Sequence, residues 1–168
     1  TILSNFLRKT LVVVPTSLLF QWFTTIKKDM GHTPYVYHAS IKNGTRQMKD
    51  APLVLTTYGM MGISEKVLEQ FESGERKNLS PLHDQIWDRI IYDEAHNLKN
   101  RRTSRFRGAK LLKTKYQWFY SGTPIQIHAS DARALVELLG FTDVKKTDAI
   151  IRTLNEVMLQ RTREDLGM

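Results

Sequence analysis

One arrangement recurs along the chain and restricts its fold more than any other. A short apolar run stops abruptly, a cluster of small polar or acidic residues follows, and a helical period begins. Leu11-Val12-Val13-Val14 stops at Pro15-Thr16-Ser17. Leu53-Val54-Leu55 stops at Thr56-Thr57-Tyr58. Ile90-Ile91-Tyr92 stops at Asp93-Glu94-Ala95-His96, and the run from Tyr116 to Tyr120 stops at Ser121-Gly122-Thr123. A continuous apolar run of this length reads as a strand buried on both faces, which is the habit of parallel sheets. Strands alternating with helical segments build a mainly parallel sheet with helices on both faces.

Helical segments are expected from Leu18 to about Met30, with Thr16 and Ser17 as caps and Gly31 as the stop. Further helices are expected from Met60 to Phe71, Ser104 to Lys113, Asp131 to Leu139 and Asp148 to Leu159. Tyr35 to His38 reads as another short strand, and residues 72 to 84 as an exposed loop. Ile2, Leu3, Phe6 and Leu7 lie at helical spacing, so the fold is expected to be incomplete at the N-terminus. Residues 1–168 are read as a single domain, a length within the usual domain range.

Composition removes several chemistries. The chain has no cysteine, hence no disulfide or thiolate metal site. His32, His38, His83 and His128 lack ligand spacing and are read as structural or exposed. No apolar run approaches the ~20 residues needed to cross a bilayer, so no membrane partner is expected. Lys and Arg number 25 against 17 Asp and Glu, a formal net charge of +8. Eight of the bases crowd between Asn97 and Tyr116, with no acid among them: Lys99, Arg101, Arg102, Arg105, Arg107, Lys110, Lys113 and Lys115. Such a block is commonly a solvated helix face, but it is also what attracts a phosphate backbone through counterion release.

The strand ends carry the candidate chemistry. In open α/β sheets, ligands bind beyond the carboxyl ends of the strands. Asp93 and Glu94 emerge there and suit metal-assisted phosphoryl transfer, one carboxylate for Mg²⁺ and the other for the attacking water. Neighbouring residues on a strand face opposite ways, so the backbone must turn sharply after Asp93 for both to serve one site. An isolated Asp-Glu pair is usually a solvated loop. Here three further strand ends with hydroxyl side chains and helix starts could hold phosphates beside it.

The motifs resemble, in order, those of Swi/Snf-type ATPases, DNA translocases related to superfamily-two helicases. Trp87-Asp88-Arg89-Ile90-Ile91-Tyr92-Asp93-Glu94-Ala95-His96-Asn97-Leu98-Lys99-Asn100 resembles their Walker B region, and its Lys-Asn ending separates that family from RNA helicases. Leu11 to Trp22 resembles motif Ia, Val54 to Gly59 motif Ib, Trp118 to Gln126 motif III, and Met158 to Leu166 the segment closing the first lobe. The resemblance implies an α/β, RecA-like fold of the P-loop NTPase type, with ATP and Mg²⁺ as cofactors and duplex DNA, free or in a nucleosome, as partner. It makes Asp93 the Mg²⁺ ligand and Glu94 the residue that activates water, with Thr1 at or next to the phosphate loop. It gives His96, Ser121, Thr123 and Gln126 to coupling, and Thr16, Ser17, Gln21, Thr56, Thr57, Lys99, Arg101 and Arg102 to the DNA backbone. Arg161 would lie near the boundary between lobes.

The sequence departs from the family pattern in several places. No Gly-rich phosphate loop occurs in these residues, and the resemblance puts it just before Thr1. The second RecA-like lobe, a further implied partner, is also outside them. Ile127 and Gln160 stand where the family usually has asparagine and arginine. The expectation is therefore most of the N-terminal lobe of a chromatin-remodelling or DNA-repair translocase, active only within the complete protein. It would be nuclear in a eukaryote and cytoplasmic otherwise. The alternatives are a non-catalytic module that grips nucleic acid or a partner, and an RNA helicase lobe.

Overall fold

A computed structural model describes residues 9–41, 47–121, 129–141 and 147–157. The chain divides into two compact units, Thr1–Ile125 and Gln126–Met168.

The first unit is built on strands β1 (Thr10–Val14), β2 (Tyr35–Tyr37), β3 (Leu53–Thr57), β4 (Ile86–Tyr92) and β5 (Lys113–Phe119). They form one sheet in the order β2-β3-β1-β4-β5, and every pairing is parallel. The central position falls to β1, whose five residues are all buried. Its side chains alternate between the two faces. Val12 and Val14 share one face with Leu53, Leu55 and Val36, and helix α1 (Leu19–Met30) covers it with Leu19, Ile26, Trp22, Phe23 and Met30. Leu11, Val13, Val54 and Ile90 take the other parity and are equally buried. Gly31, at φ 62°, ends α1 in the left-handed conformation that glycine adopts without strain.

Several boundaries differ from the sequence expectation. The helix expected over Met60 to Phe71 is two helices, α2 (Tyr58–Met61) and α3 (Glu65–Glu72). Gly62 between them is extended, Ile63 is buried, and Ser64 caps α3 by accepting the Val67 N–H at 3.3 Å. Helix α4 (Ser104–Leu111) is capped by Thr103 and stops before Lys113, which already belongs to β5. Thr16 and Ser17 do not cap α1: they lie in a short 3₁₀ turn that starts at Pro15 and makes no side-chain cap. The far end of the expected loop 72–84 is also inside the molecule. Leu79, Leu82 and His83 are buried, and Trp87 donates its indole N–H to the Leu82 carbonyl at 3.0 Å.

Helices α2 and α4 meet at Gly108. A Cβ there would sit 2.2 Å from the Met61 carbonyl oxygen, so only glycine permits this approach. His83 fastens the same place, its Nε2 lying 3.0 Å from the Gly108 carbonyl oxygen. Burial lowers its pKa from the ordinary histidine value, against smaller opposing effects of the Gly108 carbonyl and Asp84.

At the far side of the sheet, β5 is polar and half exposed, and Tyr116 and Trp118 present their rings to solvent. The second unit contains α5 (Ala129–Leu138) and α6 (Thr147–Val157), packed through Ala132, Val136, Ile150 and Leu154.

Candidate functional site

Because the strands are parallel and in register, their carboxyl ends come out side by side. Val14 lies opposite Thr57, Val13 opposite Tyr92, and Tyr92 opposite Phe119. Asp93 follows directly. Its N–H donates to the Val13 carbonyl at 2.9 Å, which seats it against the tip of β1. On the other flank, Tyr120 N–H donates to the Tyr92 carbonyl at 2.9 Å and Ala95 N–H donates to the Tyr120 carbonyl at 2.8 Å. The acidic turn is thus bonded to both neighbouring strand tips. Below it, Tyr92 and Phe119 stack with ring centroids 5.0 Å apart.

The sharp turn that two adjacent acids require is present. Glu94 has φ 52° and ψ 53°, and it is the one non-glycine residue with positive φ among the described residues. A side chain in this region costs about 1–2 kcal/mol per residue, a strain that collects at functional sites. A short 3₁₀ turn over Ala95–Leu98 follows, anchored by the buried Ala95 and Leu98. Asn97 secures it by donating its backbone and side-chain N–H groups to the Glu94 carbonyl, at 3.0 and 2.9 Å.

All the polar groups of Asp93 are engaged. Oδ1 accepts the Glu94 N–H at 3.0 Å, and Oδ2 accepts the Trp22 indole N–H at 2.7 Å. Its carbonyl accepts the Tyr58 hydroxyl at 2.7 Å. Strand parity explains the first long-range partner. Asp93 continues the alternation of Ile91, which packs on the α1 face, so its carboxylate emerges where Trp22 lies. Burial first, and then the nearby Tyr92, Asp93 and Glu94, push the Tyr58 hydroxyl far above the usual tyrosine range, so it remains a donor.

Glu94 differs from Asp93. Its Oε2 is buried and makes no hydrogen bond, and His96 Nδ1 lies 3.1 Å away, within ion-pair distance. An orphaned carboxylate oxygen beside a fully oriented carboxylate suits a hydrated cation and a water molecule. No group of three or more His, Asp or Glu among the described residues could hold a metal by itself. A cation here would complete its shell with water and ligand oxygens, as Mg²⁺ commonly does.

The other expected residues divide into four sets. Thr16, Ser17 and Gln21 are exposed where β1 gives way to α1, and Ser121 is half-buried after β5, one residue beyond Tyr120. Lys99, Arg101 and Arg102 are exposed in the loop that follows the acidic turn, where Asn100 Oδ1 accepts the Arg102 N–H at 3.0 Å. The assignment of Thr56 and Thr57 to a DNA surface is corrected: both are buried. Thr56 donates its hydroxyl to the Tyr37 carbonyl at 2.8 Å, and Thr57 accepts the Met60 N–H as the cap of α2. A polar residue in the last turn of a central strand can satisfy itself internally, and these two do. The basic block also divides, since Arg107 donates to the carbonyls of Ile63 and Arg102 and serves the fold. Thr1, Thr123, Gln126, Ile127, Gln160 and Arg161 lie outside the described residues.

Comparison with known proteins decides the family. The model of the SNF2-related domain matches residues 4–166. The chain belongs to the SNF2-related family. Among SNF2-related relatives, an uncharacterized ATP-dependent helicase of Schizosaccharomyces pombe is 33% identical over 149 residues, 81% of this chain and 14% of the relative. The DNA repair protein RAD5 of Eremothecium gossypii is 35% identical over 147 residues, 83% of this chain and 13% of the relative. Among solved structures, the Sulfolobus solfataricus SWI2/SNF2 ATPase core in complex with dsDNA superposes with a TM-score of 0.64 at 26% identity, covering 97% of this chain and 32% of that one. The present SNF2-related chain therefore spans a minor part of the proteins it matches. The fold is the RecA-like one of SNF2 ATPase cores, and nucleotide use is a property of the family. Among the described residues, no helix is long and apolar enough to cross a membrane.

Sequence reasoning singled out Asp93 and Glu94 but not Trp22 or Tyr58. Both lay inside stretches already marked, Trp22 beside Gln21 and Tyr58 beside Thr57. The available signal was strand parity, which sends Asp93 toward the helix that carries Trp22.

Proposed function

We propose that residues 1–168 form most of the first RecA-like lobe of a DNA-dependent ATPase that translocates along duplex DNA. The second lobe and the Gly-rich phosphate loop would lie elsewhere in the full-length protein. The carrying observation is the acidic turn: Asp93 is oriented on every side at the carboxyl edge of the sheet, and Glu94 is bent beside it with a buried carboxylate oxygen that makes no hydrogen bond and lies 3.1 Å from His96 Nδ1.

In this reading Asp93 would hold a hydrated Mg²⁺, which would supply charge neutralisation at the ATP phosphates. Glu94 Oε2 orients the attacking water and takes its proton. His96, next to that oxygen, and Ser121, on the adjoining strand tip, together with Thr123 and Gln126, transmit nucleotide state to the polymer. Thr16, Ser17, Gln21, Lys99, Arg101 and Arg102 contact the phosphate backbone, without reading bases. Thr1 would lie at the phosphate loop and Arg161 near the second lobe. The substrate is duplex DNA, including DNA on nucleosomes, in remodelling or repair, and the protein would be nuclear in a eukaryote.

The decisive experiment replaces Glu94 in the full-length protein. Glu94→Gln keeps the shape of the side chain and removes the base. ATP binding should be retained and DNA-stimulated hydrolysis should fall by about 10²–10⁴. Turnover within a few-fold of the unaltered protein would reject the role of Glu94. Comparing stimulation by duplex DNA and by RNA separates the translocase from an RNA helicase.

A further inference from the structure

We propose that Trp22 is a positioning residue that links the polymer-facing start of α1 to the cation-binding carboxylate of Asp93. This rests on the functional reading above and adds a physical route between its two ligands. The bond from Trp22 Nε1 to Asp93 Oδ2, at 2.7 Å, joins residues 71 apart in sequence. Indole is a donor only, so it can hold a carboxylate oxygen but offers nothing to a cation. A hydrogen bond to a charged acceptor is stronger and more directional than one to a neutral group. It fixes the plane of the carboxylate and leaves each oxygen a lone pair toward the site.

The position of Trp22 on its helix gives the bond its significance. Trp22 packs against a buried cluster made of Leu19 and Ile26 of its own helix and Val12, Val14, Leu53 and Leu55 of the sheet, so a displacement of α1 against the sheet strains the seat of the indole. Gln21, next to it, and Phe20, 77% exposed, turn outward with Thr16 and Ser17. One turn of helix thus carries both the surface offered to a polymer and the donor that orients Asp93. Tyr58 holds the backbone of Asp93, donating to its carbonyl at 2.7 Å, so a shift of α1 would turn the carboxylate about a held backbone. A polymer that displaces α1 therefore alters the binding of Mg²⁺–nucleotide, and by linkage the nucleotide alters polymer affinity by the same factor.

The test measures this coupling by binding alone in the full-length protein. A fluorescent ADP analogue is titrated in MgCl₂, with and without saturating duplex DNA. The ratio of the two dissociation constants should be about fivefold or more in the unaltered protein. Trp22→Phe keeps an aromatic ring and removes the N–H. Both ligands should still bind, and the ratio should fall to within about twofold of unity. Replacing Trp22 by its benzothiophene analogue, with sulfur in place of the N–H, makes the same test at unchanged shape if Trp22→Phe fails to fold. In EDTA, the unaltered and altered proteins should give one ratio.

An undiminished ratio in both substitutions would overturn the link, as would a ratio of unity in the unaltered protein. A difference that persists in EDTA would assign the effect to the helix alone and also overturn it. Absence of any Mg²⁺-dependent nucleotide affinity in the unaltered protein would instead overturn the functional reading, and the link with it.

Discussion

The acidic turn over Asp93-Glu94 and the basic loop over Lys99–Arg102 are a few residues apart, yet they are built on opposite terms. In the turn, Asp93 has partners for its N–H, its carbonyl and both carboxylate oxygens, and Glu94 is held in a left-handed conformation. In the loop, the backbone is shaped by Asn100, while Lys99, Arg101 and Arg102 are exposed. The difference follows from what each would do. Proton transfer requires atoms placed within tenths of an ångström before the reaction begins. Attraction to a phosphate chain depends on charge density and tolerates many side-chain positions.

Several substitutions would break or sharpen that contrast. The largest expected effect is the loss of turnover in Glu94→Gln, because it strikes the ordered side. Next comes the loop. Changing Lys99, Arg101 and Arg102 together to alanine should weaken duplex DNA binding by about tenfold or more near physiological salt. The salt slope of log affinity should become shallower by about 2–3, since each phosphate contact contributes about 0.9. Single substitutions in the loop should produce proportionate parts of this loss. If one of the three abolished binding by itself, the loop would be an ordered site and the contrast would be wrong.

A smaller effect comes from relieving the turn. Glu94→Gly should raise stability by about 1 kcal/mol in denaturant titration, because glycine occupies positive φ without strain, while hydrolysis is lost. Unchanged or reduced stability would mean that the bend is not strained. The smallest effect concerns the scaffold beneath the loop. His83 is neutral in the fold and its pKa lies below the unfolded value. The unfolded chain therefore binds the proton first, so the contribution of His83 is complete above pH 6.5 and is lost as pH falls below it. Thermal melts of His83→Asn between pH 7.5 and 5 should show a shallower decline than the unaltered protein.

How much of this could be read from the sequence varied with the environment of each residue. The central strands were legible because burial on both faces demands unbroken apolar runs, as in Leu11 to Val14. The beginning of β5 was not, since an edge strand such as Lys113-Thr114-Lys115 is polar and its residues resemble a helix end. The break between α2 and α3 depends on Ile63 turning inward, which periodicity across Met60 to Phe71 conceals. Asp93 and Glu94 were visible from their place after an apolar run. Their supports were hidden, because the bonds to Trp22 and Tyr58 span long stretches of chain. Thr56 and Thr57 misled for the opposite reason: hydroxyls near a strand end suggest a surface, and here they are consumed within the core.

The parallel sheet has a consequence for how the protein reaches its native state. No pair of its strands can form as a local hairpin, and the contact of Thr10 with Arg89 must wait until β4 has been synthesised and brought back across β1. If β4 docked one residue out of step, Trp87, Ile90 and Tyr92 would exchange faces with their neighbours, and the carboxylate after them would leave the indole that receives it. The alignment of the last strand residues and the alignment of the acidic turn are therefore decided in a single event, so a misthreaded molecule would also be an inert one.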